Sequence, residues 1–383
     1  MSYIARNIET KLFDYLTLFP VVGLTGPRQS GKSTLLLTKL KDYEYITFDD
    51  YRNAMLLKED PEGFIRRYQN KVIFDEVQKA PEIFNMIKVI VDRNREQKGQ
   101  FILTGSNEFQ VIKGASETLA GRIGLLTLLP LEFQEIPENL RMEAQWKGSY
   151  PEIVTHIYKH RDEWYGAYIE TYINRDVREI SRIGDLRDFQ RFMRLLAMNT
   201  SHLMNLSTFA KDIGVSVPTI KRWLSVLEAS YIIFLLPPFY ENFGKRIVKN
   251  PKVYFYDTGI VSYLVGLETA RHYEQGPMGG ALFENYIIAE IIKKSIHLKR
   301  KTAFYFLRTS HGVEVDLIVD KGTHKEFIEI KKGSTFKPSM VQGLRDFIRE
   351  EDAGYLIYQG KNDFYNQNIQ IQNFRDFLID KQA

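Results

Sequence analysis

The chain has 383 residues, room for two or three domains at about 100–200 residues each. Hydrophobic residues make up 44% and charged residues 26%, an ordinary globular composition that excludes a disordered chain or a fibrous repeat, and the lack of cysteine excludes a disulfide scaffold, a thiolate zinc site and a cysteine nucleophile. The formal charge of +4, from 52 basic and 48 acidic residues, is too balanced to mark the whole chain as a nucleic-acid binder.

The longest apolar runs, Gly124–Leu131 and Tyr231–Phe239, fall short of the roughly 20 residues a membrane helix needs. Arg6, Glu9, Lys11 and Asp14 come before any apolar run matures, which is not the pattern of a signal peptide. The expectation is a soluble cytoplasmic protein with no membrane partner.

In chain order, Val21–Thr25 reads as an apolar strand, followed by a Gly-rich turn and a helix over Ser33–Leu40. Tyr45–Phe48, Lys71–Phe74, Phe101–Thr104 and Gly124–Leu128 read as four further strands. Apolar strands separated by helical segments predict an α/β fold, a parallel sheet covered on both faces.

The turn after the first strand is Gly26-Pro27-Arg28-Gln29-Ser30-Gly31-Lys32-Ser33, with Thr34 next, and it matches G-x-x-x-x-G-K-[ST] in full. Glycines let backbone N–H groups encircle phosphate, and the following helix aims its positive end at that phosphate. Lys32 supplies charge to the β and γ oxygens, and Ser33 can ligate magnesium. ATP and Mg2+ are the predicted cofactors.

The third strand ends in Asp75 and Glu76, at the carboxyl edge of the sheet where such folds bind ligands. Asp75 is expected to hold the magnesium through water, and Glu76 to polarise the attacking water. The fourth strand ends Leu103-Thr104-Gly105-Ser106-Asn107, where Ser106 or Asn107 can orient the water, although Gly-Ser-Asn also favours a plain turn. Arg122 can meet phosphates of its own or a neighbouring subunit, or be a surface arginine.

The run Gly26–Ser33, with Phe74-Asp75-Glu76-Val77-Gln78, Leu103-Thr104-Gly105-Ser106 and Leu128-Leu129-Pro130-Leu131-Glu132-Phe133, resembles the AAA-type ATPase domain of a widespread prokaryotic family. In that family a C-terminal domain of unknown function follows the ATPase domain. The resemblance implies ATP binding and hydrolysis. Because AAA-type ATPases often complete one subunit's site with an arginine from the next, it also implies a homo-oligomer.

Residues from about Pro151 to Ile180 read as helical, and Tyr168–Val177 resembles a family motif whose default reading is a packing helix. Leu206–Glu228 reads as helix, turn, helix, with Ala210, Gly214 and Ile220 at the spacing of that motif and Ser216 and Pro218 opening the second helix. The strand-like runs Tyr231–Leu236 and Lys252–Tyr256 follow, flanking the basic Lys245, Arg246 and Lys249, so the unit is predicted to be a winged helix. Thr219, Lys221, Arg222 and Ser225 are the polar residues of the second helix, for DNA contact or for a structural role alone.

Leu282–Lys294 reads as a helix whose Ile287, Ile288, Ile291 and Ile292 all fall within about 80° of Glu284 around the axis. A carboxylate on that apolar face must be paired, protonated or metal-bound. Glu290, Lys293 and Lys294 fall opposite and read as solvated; Lys293, Lys294, Lys299, Arg300 and Lys301 either line a nucleic-acid groove or are a solvated helix end. Two strands then carry Asp316, Glu329 and Lys331, and pairing them would bring three carboxylates and a lysine together, as a metal-dependent nuclease needs. This resembles the restriction-endonuclease-like superfamily, whose signature is an acid, then Asp, then Glu-x-Lys; Val315 stands where a Pro commonly precedes the Asp. The site is either a working nuclease or a degenerate one that binds without cutting.

The expected organisation is an AAA-type P-loop ATPase domain over 1–150, a helical connector and winged helix over 151–270, and a restriction-endonuclease-like α/β domain over 271–383, with a linker near Glu274–Gly280. The scattered histidines give a zinc enzyme no support. The leading expectation is ATP turnover coupled to nucleic-acid binding or processing, with DNA as partner. The alternative is an ATP-gated switch that recognises a protein partner and carries a silent nuclease-like domain.

Overall fold

Five apolar runs pair in parallel in the order β2-β3-β4-β1-β5, where β1 is Val21–Thr25, β2 Glu44–Thr47, β3 Val72–Asp75, β4 Phe101–Thr104 and β5 Ile123–Thr127. Each lies within one residue of its predicted span. The computed structural model describes residues 3–105, 118–173, 186–240 and 249–380.

Side chains alternate between the two faces of a strand. Val22, Leu24, Ile73 and Ile102 pack with Leu12 of α1 (Glu9–Leu18) and Leu35 and Leu36 of α2 (Lys32–Lys39). Val21, Val72, Phe74, Phe101 and Leu103 pack on the other face against α3 (Tyr51–Glu59), α4 (Pro61–Arg67) and α5 (Ile83–Arg93). Burying each such side chain contributes about 1.5–3 kcal/mol, so both faces are committed to cover. With every strand pointing one way, Gly26, Asp75 and Thr104 come to the same carboxyl edge.

Short helices follow at Arg141–Lys147, Pro151–Thr155 and Arg161–Tyr168, then Leu186–Met198. Leu206–Ile213 and Val217–Ala229 form the helix-turn-helix, capped by Asn205 and Ser216 and turned at Gly214, whose left-handed φ of 87° favours glycine. Phe189, Phe192 and Trp223 close its core, with the two Phe rings 5.5 and 5.4 Å from the indole. The strands after it pair as an antiparallel hairpin, β6 (Ile233–Leu236) with β7 (Lys252–Phe255). The strand expected from Tyr231 starts at Ile233, because Tyr231 takes a left-handed φ of 56°. Of the basic run, Lys245 and Arg246 lie outside the described residues, as do Asn174–Val177 of the Tyr168–Val177 motif.

The last part is a six-stranded mixed sheet in the order β12-β13-β11-β10-β9-β8, from β8 (Ala303–Arg308), β9 (Glu314–Asp320), β10 (Lys325–Lys331), β11 (Ala353–Tyr358), β12 (Phe364–Asn366) and β13 (Ile369–Asn373). A 19-residue helix, Gly279–His297, precedes it. The expected linker is not one. The helix Ala270–Gln275 ends and the long helix begins within it, and Lys332 Nζ holds the carbonyls of Tyr273 and Glu274 at 2.5 and 3.1 Å.

The long helix also corrects the solvated face read from its sequence. Glu290 and Lys293 are 3% and 1% exposed and ion-paired at 2.5 Å. Together with His297 they hold the segment that leaves β5. His297 Nε2 accepts from Leu129 N at 2.9 Å, Lys293 Nζ donates to Leu131 O at 2.8 Å, and Glu290 Oε2 accepts from Phe133 N at 2.6 Å. Residues 290, 293 and 297 share one helix face, and 129, 131 and 133 share one side of an extended chain. Lys293 therefore lines no groove. Among the described residues no helix is long and apolar enough to cross a membrane.

Candidate functional site

The phosphate loop joins β1 to α2. Gly26 has φ 140°, and a Cβ there would lie 2.1 Å from Leu128 O, so the first glycine is required by both backbone and space. Lys32 folds its ammonium over the loop, donating to the carbonyls of Gly26 and Pro27 at 2.9 and 2.8 Å. Gln29 takes a left-handed φ of 63°, and Arg6 Nη1 fixes the loop from outside through Ser30 O at 2.8 Å. Gln29, Gly31 and Thr34 border a cavity of about 140 Å³ that Tyr3, Ile4 and Pro151 also line.

Ser33 Oγ donates to Asp75 Oδ2 at 3.2 Å, which brings together the two residues predicted to share magnesium. A hydroxyl and a carboxylate are hard oxygen donors that suit Mg2+. The hydroxyls of Ser30 and Thr104 are buried with no hydrogen-bond partner among the described residues, one in the loop and one at the tip of β4. Buried orphan donors at this edge fit a phosphate-bearing ligand. Glu76 follows Asp75 in a left-handed conformation at φ 56°, hydrogen-bonded by Gln78 Nε2.

Sequence reasoning missed Tyr45. Its hydroxyl donates to the same Asp75 oxygen that Ser33 reaches. Burial and this bond push the phenol pKa up, so Tyr45 stays a donor.

Two other predictions concern this site. Ser106 and Asn107 lie outside the described residues. Arg122 stands just before β5, whose first residue pairs with Val21, so it occupies the amino edge, about 20 Å along the strand from Gly26. Its guanidinium is ion-paired with Asp92 at 2.6 and 3.1 Å. It cannot serve the phosphates of its own subunit.

The second constellation lies where β7, β9, β10 and the long helix meet. Ile330 N donates to Asp316 Oδ2 at 2.8 Å, fixing Asp316 across the β9–β10 hairpin. Lys331 Nζ lies 3.8 Å from Asp316 and is paired with Glu329, and Glu284 faces the same group from the helix, so the predicted residues converge. The unpredicted member is Lys252 of β7, 2% exposed. Its ammonium is 3.1 Å from Glu284, 2.5 Å from Glu314 and 3.9 Å from Asp316. Tyr254 donates to Glu284 at 2.7 Å.

Burial, with Asp316 nearby, pushes the Glu284 carboxyl up to about 7 and that of Glu329 up to about 8. Burial opposes the Lys252 charge, but Glu284, Asp316 and Glu314 outweigh it and raise its pKa. The four carboxylates face the ammoniums of Lys252 and Lys331 and the guanidinium of Arg308, 3.4 Å from Glu314, and Glu329 Oε2 is buried without a hydrogen-bond partner among the described residues. The donor set fits a divalent cation beside Asp316 and Glu329, whereas the position between Glu284 and Glu314 is filled by Lys252.

A third group, Glu132, Glu135 and His297, brings three possible ligand atoms within 4.8 Å of one another. Protein donors already occupy it. Arg6 Nε binds Glu135 at 3.0 Å, Asn7 Nδ2 binds Glu132 at 2.9 Å, and His297 Nδ1 pairs with Glu132. It is a structural joint. On the helix-turn-helix, Lys221, Arg222 and Ser225 are exposed, whereas Thr219 is half-buried.

Three family models match in succession: an AAA domain over residues 18–137, a domain of unknown function (DUF8612) over 139–271 and another (DUF4143) over 279–377. The chain is similar to uncharacterized proteins of Mycobacterium tuberculosis and Mycobacterium bovis, each 28% identical over 364 residues, 94% of this chain and 81% of theirs. Among solved structures it is similar to the Walker-type ATPase of Pyrococcus abyssi, at 17% identity and a TM-score of 0.48 over 68% of this chain and 96% of that one. It is also similar to AMPPCP-bound DnaA of Aquifex aeolicus, at 16% identity and a TM-score of 0.31 over 58% of this chain and 85% of that one. The AAA-domain match, the parallel sheet and the complete phosphate-loop motif make the N-terminal unit an AAA-type ATPase domain.

Proposed function

We propose that this ATPase takes ATP with magnesium in the phosphate loop, hydrolyses it to ADP and phosphate, and couples the turnover to binding or processing nucleic acid, with DNA as the partner. The observation that carries the first half is the pairing of Ser33 and Asp75 at 3.2 Å beneath a loop crossed by Lys32. The small cavity beside Gln29, Gly31 and Thr34 suits the adenine ring. Magnesium held by Ser33, with Asp75 behind it, supplies charge neutralisation at the phosphates. Lys32 adds to it, and Glu76 orients and polarises the attacking water.

The nucleic-acid half is supported by the exposed Lys221 and Arg222 on the second helix of the helix-turn-helix and by the acidic cluster around Asp316. Steady-state ATP hydrolysis with and without duplex DNA is the test, with Glu76→Gln as control. Turnover that is lost in the variant and stimulated by DNA supports both halves. If turnover is lost in the variant but indifferent to DNA, the ATPase stands and the DNA partner does not. Double substitution of Lys221 and Arg222 by Ala is expected to weaken DNA binding and flatten its salt dependence.

Lys252 favours a second reading, an ATP-gated protein-interaction switch in which the nuclease-like centre is silent. An ammonium among Glu284, Glu314 and Asp316 already supplies a counter-charge. Magnesium-dependent DNA cleavage that disappears in a folded Asp316→Ala variant would exclude the silent centre; no cleavage by the wild type would support it.

A further inference from the structure

A cavity of about 440 Å³, used by neither the phosphate loop nor the acidic cluster, lies where the three parts of the chain meet. Its size is that of small-molecule sites. Thr127 at the end of β5 contributes one wall, and Tyr231, Phe234 and Tyr256 bring aromatic surface from the middle part. Phe234 and Tyr256 have ring centroids 4.8 Å apart, and Tyr231 and Tyr256 lie at 6.4 Å. Lys299 and Arg300, just past the long helix, line it too; Lys299 is exposed and Arg300 partly so, which makes that side basic.

One further feature separates this cavity from an ordinary crevice. Glu228 also lines the cavity, half-buried, and its carboxylate has no hydrogen bond or ion pair among the described residues. Burial alone pushes its pKa up, with no counter-charge to offset it.

We propose that this cavity binds a nucleoside phosphate, with its ring against Tyr231, Phe234 and Tyr256, its phosphate at Lys299 and Arg300, and its base edge donating to Glu228. The carboxylate selects the base. An ionised carboxylate only accepts hydrogen bonds, and guanine presents adjacent N1–H and N2–H donors that match its two oxygens. Adenine and cytosine place a ring acceptor beside their amino group, and uracil flanks its single N–H with carbonyls. The cavity therefore takes a guanine nucleotide. Tyr231 also donates to or accepts from Thr25 Oγ1 at 2.8 Å, one residue before Gly26, so the ligand sits against the strand that carries the phosphate loop.

Titration calorimetry tests this on the Lys32→Ala chain, whose phosphate loop is disabled, with GMP, AMP and CMP as probes. One site is expected, with GMP tighter than the others by about tenfold or more, the loss expected for an unmatched pair of hydrogen bonds. Adding Glu228→Gln should erase the preference, and adding Arg300→Ala should weaken all three by about tenfold, as loss of a charge-assisted bond does. Melting curves of each variant establish that it is folded. Absence of binding at millimolar nucleotide, binding without guanine preference, or binding that ignores both cavity substitutions would each overturn the proposal. The outcome is independent of the ATPase reading, because neither turnover nor Glu76 enters it.

Discussion

Tyr45 and Ser33 reach the same oxygen of Asp75 from two sides, one from a strand and one from the helix that follows the phosphate loop. A carboxylate held this way presents its remaining lone pairs in a fixed direction, and losing such support typically weakens metal affinity about 10- to 100-fold. We predict that Tyr45→Phe raises the magnesium concentration for half-maximal ATP turnover by about that factor, with nucleotide binding in the absence of magnesium unchanged. An unaltered magnesium dependence would reduce Tyr45 to a packing residue. The contrast between Tyr45 and Lys32 explains what was legible at this scale. The phosphate loop is contiguous, so its chemistry is written in eight successive residues. Tyr45 meets Asp75 across 30 residues, and a tyrosine in a strand is an ordinary β-former with no mark of its partner. Lys252 was hidden for a similar reason, since a lysine at the start of a strand reads as a solvated end.

At the scale of single elements, the β7 strand and the long helix face each other through Lys252 and Glu284. A carboxyl whose pKa is raised by folding contributes its full stability below its unfolded pKa and loses it as pH climbs through the folded value. For Glu284 and Glu329 that window runs from about 4.5 up to about 7 and about 8. Thermal unfolding of this region should therefore shift downward between pH 5 and pH 8.5, and Glu329→Gln should flatten the shift. Lys252→Met removes the ammonium and leaves Glu284, Glu314 and Asp316 without it. Removing one partner of a buried pair costs about 3–5 kcal/mol, so the melting temperature at pH 8 should fall by on the order of 10 °C. At pH 5 the drop should be smaller, because Glu284 and Glu329 then carry protons. A drop of equal size at both values would assign the loss to packing. The pairing of Asp316, Glu329 and Lys331 could be read in advance because strand alternation places the last two on one face and a hairpin supplies the first. The burial of Glu290 and Lys293 could not, since a periodicity argument assumes one buried stripe and this helix is enclosed by three different parts of the chain.

Across the whole molecule, that enclosure makes the long helix the element that runs from the acidic cluster toward the ATPase sheet. Glu284 lies in the acidic cluster; His297, 13 residues or about 20 Å further along, grips Leu129 just beyond the ATPase sheet. From there Arg6 spans the remaining gap, binding Glu135 at 3.0 Å, Leu129 O at 2.7 Å and the loop carbonyl of Ser30 at 2.8 Å. Contiguity alone carries no coupling energy; an equilibrium that both ends bias does. His297 offers a clean way to separate the two. Nε2 accepts from Leu129 N, so Nδ1 carries the proton toward Glu132, and a glutamine can supply the same acceptor and donor. An alanine supplies neither, leaving a buried N–H and a buried carboxylate at about 1–3 kcal/mol each. Glu132 shows what is at stake: burial pushes its carboxyl up, yet the hydrogen bonds of His297 and Asn7 hold it below the usual range. We predict that a non-hydrolysable ATP analogue slows amide exchange at the His297 end of the helix in the wild type and in His297→Gln. In His297→Ala the basal exchange there should be faster by about 1.5 to 4 orders of magnitude, and the analogue should no longer slow it. Equal protection in all three chains would mean that the loop and the helix share a joint but no equilibrium, and that any signal from ATP to the C-terminal half travels by another route.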